Sequence, residues 1–289
     1  MKLSFGSQGV EPDTLAQVRE CCNIVSFPFE HDLPDCPLFT WPNLLKLALR
    51  RPQSPAYTYW SNGEVNLGDR WDVHGQPHLP LDETISGIEH NNSLVILKSV
   101  DEDSLFGPLI RQIQNRILDL IAPRIRNDVT TGRGTLLLAS PGRVTSFHFD
   151  ADVNFLFQIA GNKLFAVFDR GPGRALRDEE LERYFMGDPN GAQYDPSREK
   201  CSTVYQLHAG SGVHVPILTA HWARNLDSPS VALSVNFDLR SMMSVGRIYR
   251  LNGRLRKLGL RPVPPGSSRW RDAAKIAAME VLSVKSHSH

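Results

Sequence analysis

A chain of 289 residues, 41% apolar and 22% charged, is long enough to bury one sizeable core with segments to spare as extensions. A formal net charge of +1 gives no global reason to expect nucleic acid as a partner, and nowhere do 18 apolar residues run together, so no membrane span is expected. The start, MKLSFGSQGVEPDTLAQ, lacks the apolar run of a secretory signal, and the four cysteines (Cys21, Cys22, Cys36, Cys201) are too few for a disulfide scaffold, so the expectation is a cytoplasmic protein.

Short helices and strands mix over residues 1–128, which are expected to form an α/β extension packed on the main domain. Asp13 or Thr14 caps a helix through Cys22, and Pro42 opens another to about Arg51, proline being suited to a first helical turn. Tyr57–Trp60 reads as a strand, Ser61-Asn62-Gly63 as a turn and Glu64-Val65 as the return. Asp101-Glu102-Asp103 reads as charge at a helix entrance. From Pro108, the residues Leu109, Ile113, Ile117 and Ile121 recur every fourth position until Pro123, the pattern of an amphipathic helix with its stripe in a core.

Over residues 129–239 the texture changes to eight β-rich runs, TLLLAS, RVTSFHF, VNFLFQIA, KLFAVF, STVYQLH, VHVP, HWARN and VALSVNF, separated by Gly, Pro, Asp and Asn. That pattern predicts a mainly β jelly roll with flanking helices, interrupted between Gly171 and Lys200 by a polar excursion with a short helix at Leu181–Phe185 that is placed to cover a site mouth. Helical patterning returns over residues 240–289, with Val245, Ile248, Tyr249, Leu251, Leu255 and Leu258 apolar, a break at Pro262–Gly266, and a second helix through Leu282. Between Ser241 and Lys275 stand nine lysines and arginines against the single acid Asp272. Nucleic acid or an acidic peptide would suit this stretch, but two amphipathic helices packing on the barrel or a second subunit, with their basic faces wet, is the simpler expectation.

The chemistry concentrates in SFHFD. Residues i and i+2 of a strand share a face, so His148 and Asp150 are expected side by side with Phe147 and Phe149 turned away. An imidazole and a carboxylate on one face are two thirds of the two-histidine, one-carboxylate triad of non-haem Fe(II) sites, which leaves the opposite positions open. His221, in the apolar VPILTAHWARN 71 residues after Asp150, is the expected third ligand, favoured over His214 and His208 because a proline-containing turn precedes it. His31, His74, His78 and His90 lie in irregular sequence, where a surface role is the default, and the tail histidines His287 and His289 are expected to be solvated.

The set Thr145-Ser146-Phe147-His148-Phe149-Asp150, Asn154 and Gln158-Ile159-Ala160-Gly161-Asn162-Lys163 resembles the core of the JmjC/cupin-like hydroxylases related to the asparaginyl hydroxylase of hypoxia signalling. The resemblance covers roughly residues 134–237 and, more loosely, 91–121. It implies a double-stranded β-helix, Fe(II) held by His148, Asp150 and His221, and 2-oxoglutarate as co-substrate, with Thr145 and Lys163 on its far carboxylate. Asn154 and Asn236 match two further cofactor-binding positions, and the C-terminal helices match a dimerisation appendage that points to a homodimer. There are departures: TLLLAS lacks the tyrosine that the asparaginyl hydroxylase sets on its co-substrate, and Asp150 is followed by Ala151-Asp152-Val153 in place of a glutamine pair. A buried cation answering a dicarboxylate has a physical rationale of its own, since a carboxylate carried into a barrel needs a counter-charge. The implied reaction is O2-dependent hydroxylation of a protein or peptide side chain, with no residue acting catalytically beyond the metal centre. The alternatives are hydroxylation of a small metabolite or natural-product intermediate, and a metal-binding cupin without catalysis. A chromatin-type demethylase ranks last, since no zinc finger or reader module accompanies the barrel.

Overall fold

The computed structural model describes residues 2–3, 12–70, 77–168 and 176–286, and side chains from residue 15 to residue 279 within these. His74, Gly171, His287 and His289, and the capping side chains expected at Asp13 and Thr14, fall outside what is described. The strands in chain order are β1 (Lys2–Leu3), β2 (Phe27–His31), β3 (Thr58–Asn62), β4 (Ser93–Leu97), β5 (Val129–Ala139), β6 (Val144–His148), β7 (Val153–Ala160), β8 (Lys163–Phe168), β9 (Ser202–Leu207), β10 (Ser211–Val215), β11 (His221–Asn225) and β12 (Ser230–Leu239). The helices are α1 (Pro12–Cys21), α2 (Trp41–Arg50), α3 (Leu81–Ser86), α4 (Gly107–Leu120), α5 (Pro123–Arg126), α6 (Asp178–Phe185), α7 (Arg240–Lys257) and α8 (Arg269–Ser286).

Every one of the eight β-rich runs is a strand. They form two facing sheets, a larger one in the order β1-β2-β10-β7-β12-β5-β4-β3 and a smaller one in the order β6-β11-β8-β9. All pairings are antiparallel except β1 with β2. The architecture is a mainly β jelly roll with flanking helices.

Strict period-2 alternation explains how the larger sheet buries one face and lines a cavity with the other. Phe155, Phe157 and Ile159 of β7, Leu233, Val235 and Phe237 of β12, and Leu136 and Leu138 of β5 join the outer core with Ile110, Ile113 and Ile117 of α4. Asn154, Leu156, Ser234, Asn236, Arg133, Thr135 and Leu137, the intervening residues, face the interior. Between the sheets, Leu156, Phe165, Val167, Val213, Val215 and Ala223 pack into an apolar plug that floors the cavity.

The N-terminal region contributes more to this sheet than its sequence suggests. β2 adds to β10 on one side, and β4 and β3 extend β5 on the other, so four strands of the larger sheet precede residue 129. Ser61 and Asn62, expected in a turn, are the end of β3, and the reversal comes at Gly63, whose φ of +99° suits a residue without a Cβ. His31, expected at the surface, is 5% exposed in β2, edge-on to Phe157, and burial pushes its imidazole down to about 4. Exposed His78 and His90 match the surface expectation. Asp103 orders the turn that leads into α4, its carboxylate accepting from the backbone N–H of Leu105 and Phe106 while also pairing with Arg50.

α7 packs on α6 and α8. Ile248 and Tyr249 are buried, but Leu258 is 77% exposed, so the apolar stripe ends before the basic hairpin does. Among the described residues no helix is long and apolar enough to cross a membrane.

Candidate metal centre

Two strands of the smaller sheet and the loop after one of them bring the expected triad together. β6 ends at His148, Asp150 follows in the loop after it, and β11 begins at His221, which lies directly opposite His148 in the ladder. The ligand atoms of the three side chains lie within 4.8 Å of one another. Nε2 of His148 is 3.9 Å, and Nε2 of His221 3.7 Å, from Oδ2 of Asp150, and the two imidazole centroids are 4.2 Å apart.

Backbone carbonyls fix both rings. Nδ1 of His148 is 2.7 Å from the Ser146 carbonyl and Nδ1 of His221 3.0 Å from that of Thr219, contacts in which each Nδ1–H donates and each Nε2 lone pair is left facing Asp150. At 3.7–3.9 Å those nitrogens and the carboxylate are too far apart to bond to one another directly, and a shared cation is what such a donor set fits. Burial, and then the neighbouring His148, push the His221 imidazole down to about 4, so it is a neutral donor at physiological pH. Two loops are also tied together here: the backbone N–H of Leu218, a residue in the left-handed region at φ +54°, donates to the Asp150 carbonyl at 2.8 Å. A leucine held at positive φ costs roughly 1–2 kcal/mol, a strain the surrounding packing sustains where it sets ligand geometry.

The triad opens into a cavity of about 480 Å³ between the sheets. Every remaining residue that the resemblance picked out lines it: Thr145 from β6, Lys163 from β8, Asn154 from β7 and Asn236 from β12. A two-residue turn at Gly161-Asn162, with Gly161 at φ +72°, delivers Lys163 to the first position of β8. Lys163 is 5% exposed and, among the described residues, has no carboxylate or hydrogen-bonding partner, so burial alone pulls its ammonium down to about 8. Asn154 is 7% exposed and its Oδ1 also lacks a partner. Asn236 sits opposite Asn154 in the ladder but is already engaged, donating to Asp152 at 2.9 Å and accepting from Ser234 at 2.8 Å.

His214 and His208, the competing histidines, stand elsewhere. His214 is fully buried, its Nε2 accepting from the Asn23 backbone N–H and its Nδ1 2.9 Å from the Asn154 carbonyl, and burial pushes it down to about 3. It is a satisfied core histidine. His208 is exposed at a turn.

No protein-family model and no curated protein matches the chain. Among solved structures it is similar to E. coli ycfD, at a TM-score of 0.52 and 16% identity over 94% of this chain and 67% of that one. A second structure, described as the Escherichia coli ribosomal oxygenase YcfD, gives 0.51 and 15% over 96% and 67%. The fold is that of the cupin/JmjC jelly rolls. At these identities the likeness bears on fold, and the site stands on its own geometry.

Several cavity residues have no mark in the sequence. Arg133 enters from β5, where its guanidinium bonds Asp238 and reaches Asp152 at 3.4 Å. Asp152, noted above only as a departure, is half-buried beside Asp150, and desolvation and the neighbouring charge push its carboxyl up to about 7. Ile96 enters from β4 and Lys98 from just after it, so the extra N-terminal strands widen the cavity wall. Tyr184 of α6 and Pro189 come from the polar excursion, which does border the cavity as its composition suggested.

Proposed function

We propose that this protein is an Fe(II)- and 2-oxoglutarate-dependent oxygenase that hydroxylates a C–H bond of a protein or peptide side chain, with succinate and CO2 as co-products. The observation that carries the proposal is Lys163: an ammonium without a counter-charge, inside a cavity whose wall also holds a His-Asp-His cluster. Leaving a cation unpaired in a barrel is costly, and a ligand carboxylate offsets that cost on binding. A molecule that needs a metal at one end and a cation at the other is what 2-oxoglutarate is.

His148, Asp150 and His221 would hold the iron, their carbonyl-bonded rings presenting Nε2. Held there, iron would supply the O2 activation that a hydroxylation coupled to decarboxylation of 2-oxoglutarate to succinate and CO2 needs. Lys163 and Thr145 bind and orient the co-substrate's far carboxylate, the apolar plug beneath them excludes water, and Asn154 offers an unpartnered amide at the wall. No side-chain base is required for a C–H target. That one of the similar structures is of a ribosomal oxygenase supports a protein substrate ahead of a small metabolite.

The test is anaerobic addition of Fe(II) and 2-oxoglutarate to the metal-free protein, reading the weak visible charge-transfer band. The band is expected in the wild type, absent in His148→Ala, and shifted to much higher co-substrate concentration in Lys163→Ala. Bound iron with no band means that the keto acid does not chelate, and leaves a metal-binding module without catalysis. Succinate release stimulated by peptide libraries but not by metabolite extracts is the expected outcome for the substrate class, and the reverse selects a small-molecule hydroxylase.

A further inference from the structure

The loop between β10 and β11, residues 216–220, carries the groups that aim two of the three side chains of the metal centre. The Thr219 carbonyl orients the His221 ring, and the Leu218 N–H donates to the Asp150 carbonyl. At its far end the loop is anchored to the smaller sheet, where the Ala220 carbonyl accepts from Phe168 of β8 at 2.9 Å. At its near end Pro216 has no N–H to give, so Ile217, 4% exposed, supplies the first donor. Leu218 follows at φ +54°, a conformation that a leucine keeps only where its neighbours are held.

What holds Ile217 lies 194 residues earlier in the chain. Its N–H donates to Oδ1 of Asn23 at 2.9 Å. Asn23 stands in the turn after α1 at φ +59°, in the left-handed region that asparagine enters more readily than most residues. Its own N–H donates to Nε2 of His214 at 2.9 Å. His214 is seated in β10 between the rings of Phe27 and Phe155, at centroid distances of 4.8 and 4.6 Å, with Nδ1 2.9 Å from the Asn154 carbonyl. An imidazole whose Nδ1–H is given to a carbonyl offers an acceptor at Nε2, which is what the Asn23 N–H meets. Asn23 thus bridges the end of β10 to the ligand loop, its backbone on one and its side chain on the other.

We propose that Asn23 is a positioning residue for the metal centre: its amide oxygen pins Ile217, and through it keeps the Leu218 N–H on Asp150 and the Thr219 carbonyl on His221. The inference rests on the metal-site reading above. It gives the turn after α1 a part in the site, and gives His214 the task of seating Asn23. Without that oxygen a buried N–H loses its acceptor, and the loop trades its strained leucine for geometries that aim the two ligands elsewhere.

The experiment is a titration of the metal-free protein with Co(II) alone, followed by its visible absorption, at a temperature where melts in chelator show every variant folded. Asn23→Gly accepts the positive φ, keeps the N–H to His214 and removes only the side-chain oxygen; Co(II) affinity is expected to fall roughly tenfold, the lower end of what orienting partners contribute. Asn23→Asp, which retains an acceptor at the same place, should stay within about threefold of wild type. Ser26→Ala, which takes a 2.8 Å bond to the Tyr205 hydroxyl from the same segment but touches nothing in the ligand loop, should leave the affinity unchanged. A folded Asn23→Gly within about twofold of wild type overturns the proposal, and so does an Asn23→Asp as weak as Asn23→Gly. A measurement on the wild type needs no variant: coupling is reciprocal, so Co(II) should slow amide exchange at Asn23 as well as in the loop, and slowing confined to the loop also overturns it. A wild type that does not bind Co(II) removes the metal reading and this inference together. Co(II) binding that depends on Asn23, with no response to 2-oxoglutarate, leaves the inference standing and removes the oxygenase.

Discussion

At Lys163 the apo protein carries a buried ammonium that, among the described residues, has no carboxylate partner. The pKa falls from 10.5 to about 8, below that of the unfolded chain, so the charged form destabilises the fold. The penalty is fully present below pH 8, where both states hold the proton, and fades as pH rises from about 8 to 10.5, where the folded state has lost it and the unfolded state has not. Lys163→Met is therefore expected to raise apo stability by roughly 1–3 kcal/mol at pH 7, and by less at pH 10, in denaturant melts. The same substitution should abolish saturable 2-oxoglutarate binding. In the wild type, co-substrate affinity at fixed metal should decline as pH passes about 8, since a neutral amine cannot pair with the carboxylate. An affinity flat from pH 7 to 9.5 would mean that the far carboxylate is held by something else. The two asparagines had equal standing in the sequence but differ here: Asn154 is free to take a ligand, whereas Asn236 is spent on Asp152 and Ser234, a distinction of hydrogen-bond partners that no spacing encodes.

Among elements, the strands were legible because alternation and turn residues write them locally, and β5 through β12 each coincide with a predicted run. Membership of a sheet is a long-range property, and there the sequence is silent: nothing in FPFEH or SLVIL announces pairing with β10 or β5 across 180 or more and 38 or more residues of chain, respectively. Tyr184 and Arg133 escaped notice for the same reason, one arriving at the cavity on a helix from the excursion and the other on the early, polar half of β5. Besides the β4–β5 ladder, the added β3–β4 pair is tied to the barrel by Arg143, 2% exposed, whose guanidinium bonds the Gly63 and Asn92 carbonyls and the Ser61 hydroxyl. Arg143→Leu would take a donor from all three, leaving the buried Ser61 hydroxyl without it while the Asn92 carbonyl keeps the Gly63 N–H. It is expected to destabilise by about 1–3 kcal/mol, and amide exchange should quicken first in β3 and β4. Uniform loss of protection across both sheets would show instead that the pair is not a separate cooperative unit.

For the whole molecule, the ligands are divided between sheets in a way that orders their effects. His148, His221, Thr145 and Lys163 stand on the smaller sheet, with Asp150 in the loop after β6, while the larger sheet faces them with Asn154, Asn236 and Arg133. A cation therefore ties β6 to β11, and a dicarboxylate reaching Lys163 adds β8. Binding to the folded state alone raises stability by about 2.7 kcal/mol at a ligand concentration 100 times Kd. In a chain of 289 residues that shift amounts to a few degrees in Tm. Thermal melts should thus rise in two steps, first with Co(II) and again with 2-oxoglutarate added to the Co(II) protein, and chelator should reverse both. Lys163→Met should retain the first step and lose the second, and His148→Ala should lose both, because the keto acid has no metal to meet. A second step that survives Lys163→Met would place the dicarboxylate outside the barrel, against the division of labour that the two sheets imply.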